Sequence, residues 1–315
     1  MISFNLRILS LVYVSLLMTN CNNDDSPTAV ENTSEWIRQA DIPEADRRFS
    51  ASVLTYDNRA FLMPGKGGGR FSSRPEILEF TANEWTQMAT FDGFATAGSS
   101  TPIRNNEEIY IMGGVNISNA PTDEVRVYSI TTNTFREETR FAAPARATYT
   151  ETKAYFGDAE SFSSFDFATN VMEPLPLIPG NTPITSAFLT TENNTIYALF
   201  PALETNNFFA FDINANEWIS LPNFPGGTRS GALLVSTDTD VYFGLGNNTA
   251  PLTDIWRYNR ATNEWLLFSE YPGTPFEGGF AFELNNQLFF GGGFTGGGII
   301  STDVLNEEVY SIQVE

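Results

Sequence analysis

Short apolar runs recur along the chain after residue 35, and most of them end at glycine. The runs are rich in aromatic and β-branched residues, and helical periodicity of useful length is absent. Continuous apolar runs of this length, bounded by turn residues, predict strands that are buried on both faces. Glycine at their ends lets the backbone pass close to a neighbour. The runs cover residues 60–63, 109–112, 154–156, 196–199, 241–243 and 288–290.

A tryptophan-containing phrase also recurs, each time in a polar stretch. Residues 82–85 and 215–218 both read Ala-Asn-Glu-Trp, and residues 262–265 read Thr-Asn-Glu-Trp. Less complete copies place Trp36, Phe135 and Met172 at the tryptophan position. The six positions are separated by 49, 50, 37, 46 and 47 residues, so only the third interval is short. Such spacing predicts a repeat architecture.

Each of these positions except the first follows an aromatic residue at an odd distance. Phe80 precedes Trp85 by five residues, and the other aromatic residues precede their partners by seven. Because strand side chains alternate, a difference of two residues preserves the face that each strand presents. Asparagine tolerates the left-handed backbone of a tight turn. The pattern therefore predicts a hairpin with an aromatic residue on each arm. The seven-residue cases begin at Tyr128, Phe165, Phe211 and Tyr258.

The order of glycine-ended strand, aromatic strand and Asn-x-Trp phrase over residues 35–315 resembles the Kelch repeat. The resemblance implies an all-β fold, the β-propeller, in which four-stranded antiparallel blades stack around a ring. Six glycine-ended strands and six phrases predict six blades. The residues that carry the repeat are Trp36, Trp85, Phe135, Trp218, Trp265, Gly113, Gly114, Gly291 and Gly292.

The two ends of the repeat region are complementary. Residues 307–312 form an aromatic strand with no tryptophan arm after it, and residues 35–38 form a tryptophan arm with no aromatic strand before it. We therefore predict that the N-terminal strand completes the last blade. This closes the ring without a disulfide, which a chain with one cysteine cannot form internally.

The first residues are typical of an export signal. Arg7 is followed by an apolar run over residues 8–18, too short to span a bilayer as a helix, and then by Cys21. The pattern resembles a bacterial lipoprotein signal, in which this cysteine is lipidated. The alternative is an ordinary signal peptide with an incidental cysteine. We predict a signal over residues 1–20, a flexible acidic tether over 21–34 and a propeller over 35–315, located in the cell envelope as a surface-exposed outer-membrane lipoprotein.

Composition excludes several functions. The chain has 17 basic and 38 acidic residues, no histidine and one cysteine. A net charge of −21 argues against nucleic acid and against a basic membrane-binding patch. Without histidine, Ser-His-Asp and Cys-His catalysis and histidine-ligated metals are excluded. The absence of histidine also excludes a copper-dependent galactose oxidase, an enzyme that the Kelch resemblance would otherwise suggest. We predict no cofactor and no metal, and a membrane association through the lipid alone.

Three arginines and one glutamate are the candidate site. Arg48 and Arg229 each precede an apolar strand residue by 13 positions, Arg146 opens the corresponding strand of the short repeat, and Glu277 occupies nearly the same place. In an acidic protein such arginines are candidates for holding a carboxylate or sulfate. The alternative is structural, with each arginine bonding backbone carbonyls between blades. No catalytic residue is assigned.

Two functions follow. The first is a monomeric binding or scaffolding module for a glycan or a surface protein. The alternative is a metal-free enzyme acting on a sugar acid, similar to the sialic acid mutarotases or epimerases, with the four charged residues as candidates for its site.

Overall fold

The computed structural model describes residues 34–68, 73–90, 98–116, 118, 120–205, 207–295 and 305–314. The predicted signal peptide, Cys21 and nearly all of the predicted tether lie outside these residues. Within them the structure is all-β, and helix is limited to three single 3-10 turns at Glu44–Asp46, Pro179–Asn181 and Ile184–Ser186. No helix in this part of the chain is long and apolar enough to cross a bilayer.

Six four-stranded antiparallel sheets form the blades of a propeller. The first strand, β1 (Trp36–Arg38), is followed by blade 1, with β2 (Val53–Tyr56), β3 (Arg59–Leu62), a short hairpin of β4 (Gly65–Lys66) and β5 (Ser73–Arg74), β6 (Glu76–Thr81) and β7 (Glu84–Thr90). Blade 2 has β8 (Thr101–Asn105), β9 (Glu108–Met112), β10 (Val125–Ser129) and β11 (Thr134–Glu137). Blade 3 has β12 (Arg146–Tyr149), β13 (Lys153–Gly157), β14 (Phe162–Asp166) and β15 (Val171–Pro174).

The remaining blades repeat this order. Blade 4 has β16 (Phe188–Glu192), β17 (Thr195–Leu199), β18 (Phe208–Asp212) and β19 (Glu217–Ser220). Blade 5 has β20 (Leu233–Ser236), β21 (Asp240–Gly244), a short hairpin of β22 (Asn247–Asn248) and β23 (Ala250–Pro251), β24 (Asp254–Asn259) and β25 (Glu264–Glu270). Blade 6 has β26 (Phe280–Leu284), β27 (Gln287–Gly291), β28 (Val309–Gln313) and, as its outer strand, β1.

The predicted ring closure is confirmed. Strand β1 pairs antiparallel with β28, and the next residues add backbone bonds from Gln39 N to Val309 O at 2.8 Å and from Ile42 N to Glu307 O at 2.9 Å. The register places Trp36 opposite Ile312. In this blade an aliphatic residue therefore stands where the others have an aromatic one.

The predicted outer hairpins are confirmed as well. Phe80 lies directly opposite Trp85, with the ring centroids 4.9 Å apart. The same cross-strand pairing holds in the next four blades, for Tyr128–Phe135, Phe165–Met172, Phe211–Trp218 and Tyr258–Trp265.

In blades 1, 4 and 5 the Asn-x-Trp phrase joins the blade to the linker that precedes it. Asn83 has left-handed backbone, with φ 61°, and its Oδ1 accepts a hydrogen bond from Ala40 N at 2.7 Å. Trp85 Nε1 donates to Ala40 O at 3.0 Å, so both polar groups of one linker residue are satisfied. Trp218 and Trp265 donate in the same way to Pro176 O and Pro222 O, at 2.8 and 3.1 Å.

The hydrophobic core lies between the blades. Six clusters of buried side chains each join the facing sheets of two neighbouring blades, and the second strands are almost wholly buried, as predicted from their apolar runs. One sheet cannot cover both of its own faces, so each blade is covered on both faces by its neighbours around the ring.

The glycines after the second strands permit close approach of backbones. Gly114 has φ 91°, and a Cβ there would lie 2.5 Å from Gly98 O. A Cβ on Gly291 would lie 2.6 Å from Glu308 O. Both distances are below any real carbon–oxygen contact, so these positions require glycine.

A channel runs through the centre of the ring. Its walls are the first strands of the blades, β2, β8, β12, β16, β20 and β26, each of which pairs on one edge only. We call the rim at which these strands begin the upper rim and the rim at which they end the lower rim. The free strand edges face the channel, where enclosure protects them from pairing with other chains.

Candidate binding channel and upper rim

The channel is a large cavity of the described structure. It has a volume of about 1040 Å³ and is lined by all six inner strands. Several lining hydroxyls also join neighbouring blades: Thr148 Oγ1 lies 2.6 Å from Thr191 Oγ1, and Thr190 Oγ1 lies 2.6 Å from Ser236 Oγ. The wall thus combines side-chain hydroxyls with unpaired backbone groups, which suits a polar ligand.

Charge is distributed unevenly along the channel. Its lining carboxylates, Glu151, Glu192 and Glu283, follow or end inner strands and therefore lie at the lower end. Burial raises the pKa of Glu192, and the nearby negative charges of Asp238 and Glu283 raise it further. Arg146 opens β12 and lies towards the upper end.

Arg48 is enclosed within blade 1 and does not line the channel. Its side chain has no exposed surface. Nη1 donates to Glu76 O at 2.6 Å and to Met63 O at 3.3 Å, and Nε donates to Asp46 O at 2.9 Å. Burial lowers the pKa of Arg48 to about 10, against the opposing effect of Glu76 and Asp46. The residue joins the ends of β3 and β6 in its own blade.

Arg229 has the corresponding place in blade 5. Its guanidinium forms a two-point ion pair with Asp254, at 2.8 and 2.9 Å, and lies 4.9 Å from the ring centre of Phe224. Nη1 also donates to Leu245 O at 3.3 Å. The side chain is 1% exposed, so it too is held inside the blade.

Arg146 lies in the channel wall instead. Nε donates to Ala187 O of blade 4 at 2.9 Å, and Nη1 donates to Ala145 O at 2.9 Å. Burial lowers its pKa, and no carboxylate lies within ion-pairing distance among the described residues.

Glu277 lies at the upper rim, half-buried. Its Oε1 is 3.5 Å from Asn247 Nδ2, and its side chain packs against Gly231, which lines the channel. Burial raises the pKa of Glu277, and the contact with Asn247 opposes this in part.

The register explains why the four residues do not converge. Arg48 and Arg229 each precede the central inner-strand residue of their blade, Leu54 or Val235, by six positions. Glu277 precedes Phe282 by five, which aligns it with Phe49 and Ser230. Side chains at neighbouring positions of a strand point in opposite directions. The side chain of Glu277 therefore points away from the blade interior that holds Arg48 and Arg229.

A repeated bridge organises the upper rim. In four blades a residue three or four positions before the inner strand pairs with one 17 positions later, and the pairs are Phe49–Lys66, Gly98–Val115, Ser230–Asn247 and Glu277–Phe294. The next residue of each pair has left-handed backbone and joins the neighbouring blade: Gly278 N donates to Gly231 O, Ser50 N to Gly278 O and Ser99 N to Ser50 O, at 2.6 to 2.9 Å. This chain of bonds joins blades 5, 6, 1 and 2. Between blades 3 and 4 the bond from Arg146 to Ala187 takes its place.

Sequence reasoning missed Arg104. It lies near the lower end of β8, lines the channel and has its guanidinium 4.6 Å from the ring centre of Tyr56 and 5.9 Å from that of Tyr149. The available signal was its place on an inner strand, four residues after the segment Gly98-Ser99-Ser100. In the described part of the chain, histidine, cysteine and acidic side chains form no group that could hold a metal ion.

Comparison with known proteins identifies the fold. No family model matches the chain, and no curated protein matches its sequence. The solved structure described as that of YjhT aligns with a TM-score of 0.69 at 16% identity, over 88% of this chain and 97% of that one. At this identity the likeness shows the six-bladed propeller fold alone. In all, 1068 solved chains match, so the fold does not select a function.

Proposed function

We propose that the protein is a Kelch-type propeller lipoprotein of the outer membrane that binds a glycan or a surface protein through its channel and upper rim. The lipid is attached at Cys21, and the mature chain is exposed at the cell surface. The observation that carries the proposal is the channel, which offers about 1040 Å³ of space lined by hydroxyls and by the free edges of six strands. Such a wall presents hydrogen-bond donors and acceptors in quantity, as recognition of a polar ligand requires.

The direction of β1 supports the upper rim as the presented face. Inner strand β26 runs from the upper to the lower rim, and β28 runs the same way because β27 lies antiparallel between them. Strand β1 is antiparallel to β28, so the chain reaches Trp36 from the lower rim. A tether anchored at Cys21 would therefore hold the lower rim towards the membrane.

A glycan-array screen of the mature protein, purified from membranes in detergent, tests the proposal. A pull-down from the native outer membrane is run in parallel. We expect at least one glycan class or one surface protein to be retained, and retention to fall when a bulky residue is placed at the upper rim, as in Ser99→Trp. No retained ligand in either experiment overturns the binding-module proposal.

One observation favours a second candidate, a metal-free enzyme acting on a sugar acid. Glu277 lies half-buried at the upper rim beside Asn247, and burial raises its pKa, which suits a carboxyl group that takes up and returns a proton. In this mechanism Glu277 moves the proton at the upper rim. Exchange of sugar-acid anomers can be followed by NMR, with Glu277→Gln as the inactive variant. An exchange rate equal to that without protein overturns this candidate.

A further inference from the structure

We propose that the channel binds an anionic, hydroxyl-rich ligand, an acidic sugar, and that Arg146 holds its acid group. The inference rests on the proposed binding function and names the ligand class and its anchor.

Charge pairing sets Arg146 apart. Most basic side chains in the described residues lie within 4.0 Å of a carboxylate, including the enclosed Arg48 and Arg229. The two arginines that line the channel, Arg104 and Arg146, have no such partner among those residues. In a chain of net charge −21, acids are abundant, so a half-buried arginine without one is a local surplus of positive charge. A ligand anion would supply the missing partner.

The geometry of Arg146 fits an anion anchor. Its bonds to Ala187 O and Ala145 O use two of the five guanidinium N–H groups and fix the side chain in place. Three N–H groups remain in the channel wall. An arginine oriented before the ligand arrives loses little entropy on binding a carboxylate or sulfate in forked geometry.

The carboxylates set the direction of approach. Glu151, Glu192 and Glu283 lie at the lower end of the channel and repel an anion there. Arg104 lies at that end too, where it balances part of this negative charge. The upper end is lined by serines, small residues and Arg146, and Glu277 borders its mouth from outside the lining. An anion therefore approaches from the upper mouth, the face that the tether would leave exposed.

The wall selects a sugar over an apolar ligand. Thr101, Thr148 and Thr190 line the channel together with unpaired backbone N–H and C=O groups of six strand edges. An apolar ligand would leave these groups without partners, at a cost for each. Sugar hydroxyls both donate and accept, so they can satisfy both kinds of group.

Arg146 also joins blades 3 and 4, so the test must separate binding from folding. The probes are a galacturonic acid trimer and its neutral methyl ester, a sulfated trisaccharide and its desulfated form, and a hexaglutamate peptide. Calorimetric titrations use the mature protein and the variants Arg146→Gln and Arg146→Lys. The control is Arg136→Gln, which removes the same charge from the outer face of blade 2, where Arg136 is 48% exposed.

We expect an acidic probe to bind about tenfold or more tightly than its neutral counterpart. Arg146→Gln should abolish this preference, Arg146→Lys should retain part of it, and Arg136→Gln should retain it all. Comparison of the uronate and sulfate pairs shows which oxyanion is held. If Arg146→Gln fails to fold, Arg146→Lys carries the test, because a lysine lacks the forked geometry and should weaken the preference in a folded protein.

Three results overturn the inference. They are equal binding of acidic and neutral probes, an unchanged preference in a folded Arg146 variant, and tighter binding of the peptide than of any acidic sugar. If neutral glycans or a surface protein are retained while acidity has no effect, this inference fails and the proposed binding function stands.

Discussion

Identical residue types serve different purposes in this ring because their registers differ. Arg48 and Arg229 are enclosed and hold backbone carbonyls and, for Arg229, a carboxylate, whereas Arg146 lies in the channel wall. An arginine inside a blade is useful because it satisfies the last carbonyls of two strands at once, in a place that water does not reach.

We expect Arg229→Ala to destabilise the protein by about 3–5 kcal/mol, because it leaves Asp254 without its ion-pair partner in a largely enclosed site. Arg136→Ala, which breaks an exposed ion pair, should cost at most about 1 kcal/mol. Urea unfolding followed by tryptophan fluorescence measures both. Normal stability of Arg229→Ala together with lost ligand binding would instead assign Arg229 to the ligand.

Glu138 gives a prediction about pH. Burial by itself raises the pKa of Glu138, but hydrogen bonds from the side chain and backbone of Arg140 outweigh it and hold the pKa at about 2. A folded-state pKa below the unfolded value stabilises the protein above the unfolded value, near 4.5, and this contribution is lost as the pH falls towards 2. Glu138→Gln should therefore be less stable than the wild type at pH 7.

The difference between wild type and Glu138→Gln should shrink steadily between pH 5 and pH 2, because glutamine does not titrate. Unfolding in urea at several pH values measures it. A difference that is constant over this range would show that the charge of Glu138 contributes nothing specific to the folded state.

At the scale of the element, the outer hairpin is the unit that repeats. Its tryptophan arm packs against the aromatic arm and donates to the preceding linker, so one phrase of sequence fixes both a hairpin and a blade-to-blade contact. Among the residues that the structure describes, blades 3 and 4 show no upper-rim bridge of the kind that the other four share. The short spacing between Phe135 and Met172 reflects the tight turn after β13, where Asp158 N bonds Ser161 O at 2.9 Å.

Deleting residues 33–41 should destabilise the whole propeller, because it removes β1 and exposes an edge of blade 6. Trp36 alone packs edge-on against Tyr271 and Phe290, with centroids 5.7 and 5.9 Å away. Deleting residues 22–30, in the predicted tether, is the matched control and should leave the melting temperature unchanged. Equal melting temperatures of the two deletions would contradict the closure of the ring by β1.

Gly114→Ala should lower stability by about 1–3 kcal/mol more than Gly227→Ala, because the added methyl group clashes with backbone only at position 114. Both glycines have positive φ, 91° and 76°, but a Cβ meets Gly98 O at position 114 and nothing within 4 Å at position 227. Thermal unfolding of the two variants isolates the backbone contact from the φ preference. Equal losses would mean that the upper rim can relax at this point.

At the scale of the molecule, the ring has two unlike faces. The lower rim consists of short turns, several with asparagine in left-handed backbone, while the upper rim carries the bridged loops and the mouth that Glu277 borders. The topology that closes blade 6 also brings the N-terminal segment to the lower rim. Closure of the ring and orientation at a membrane thus depend on one strand.

We expect Cys21→Ala to abolish incorporation of labelled fatty acid and to release the protein from the membrane fraction. The proposed membrane attachment is one thioether-linked lipid on Cys21, the first residue of the mature chain. The acyl chains of this lipid provide the membrane affinity. Labelling and fractionation of wild type, Cys21→Ala and an Asn20→Ala control measure it. Fatty acid in the Cys21→Ala protein would overturn lipidation at this position.

The repeat phrases determined the fold and its blade count, because each blade uses the same local pairing and sequence periodicity records local pairing directly. The two half-hairpins at the ends likewise determined the closure of the ring. The sequence alone did not decide which arginines reach the channel, since Arg48 and Arg146 differ by a few positions of register that only the sheet pairing defines. The tertiary structure also decided the partners of each charge. Among the described residues, Arg104 and Arg146 line the channel with no carboxylate within 4.0 Å, because the ring brings together side chains from different blades, which no local pattern contains.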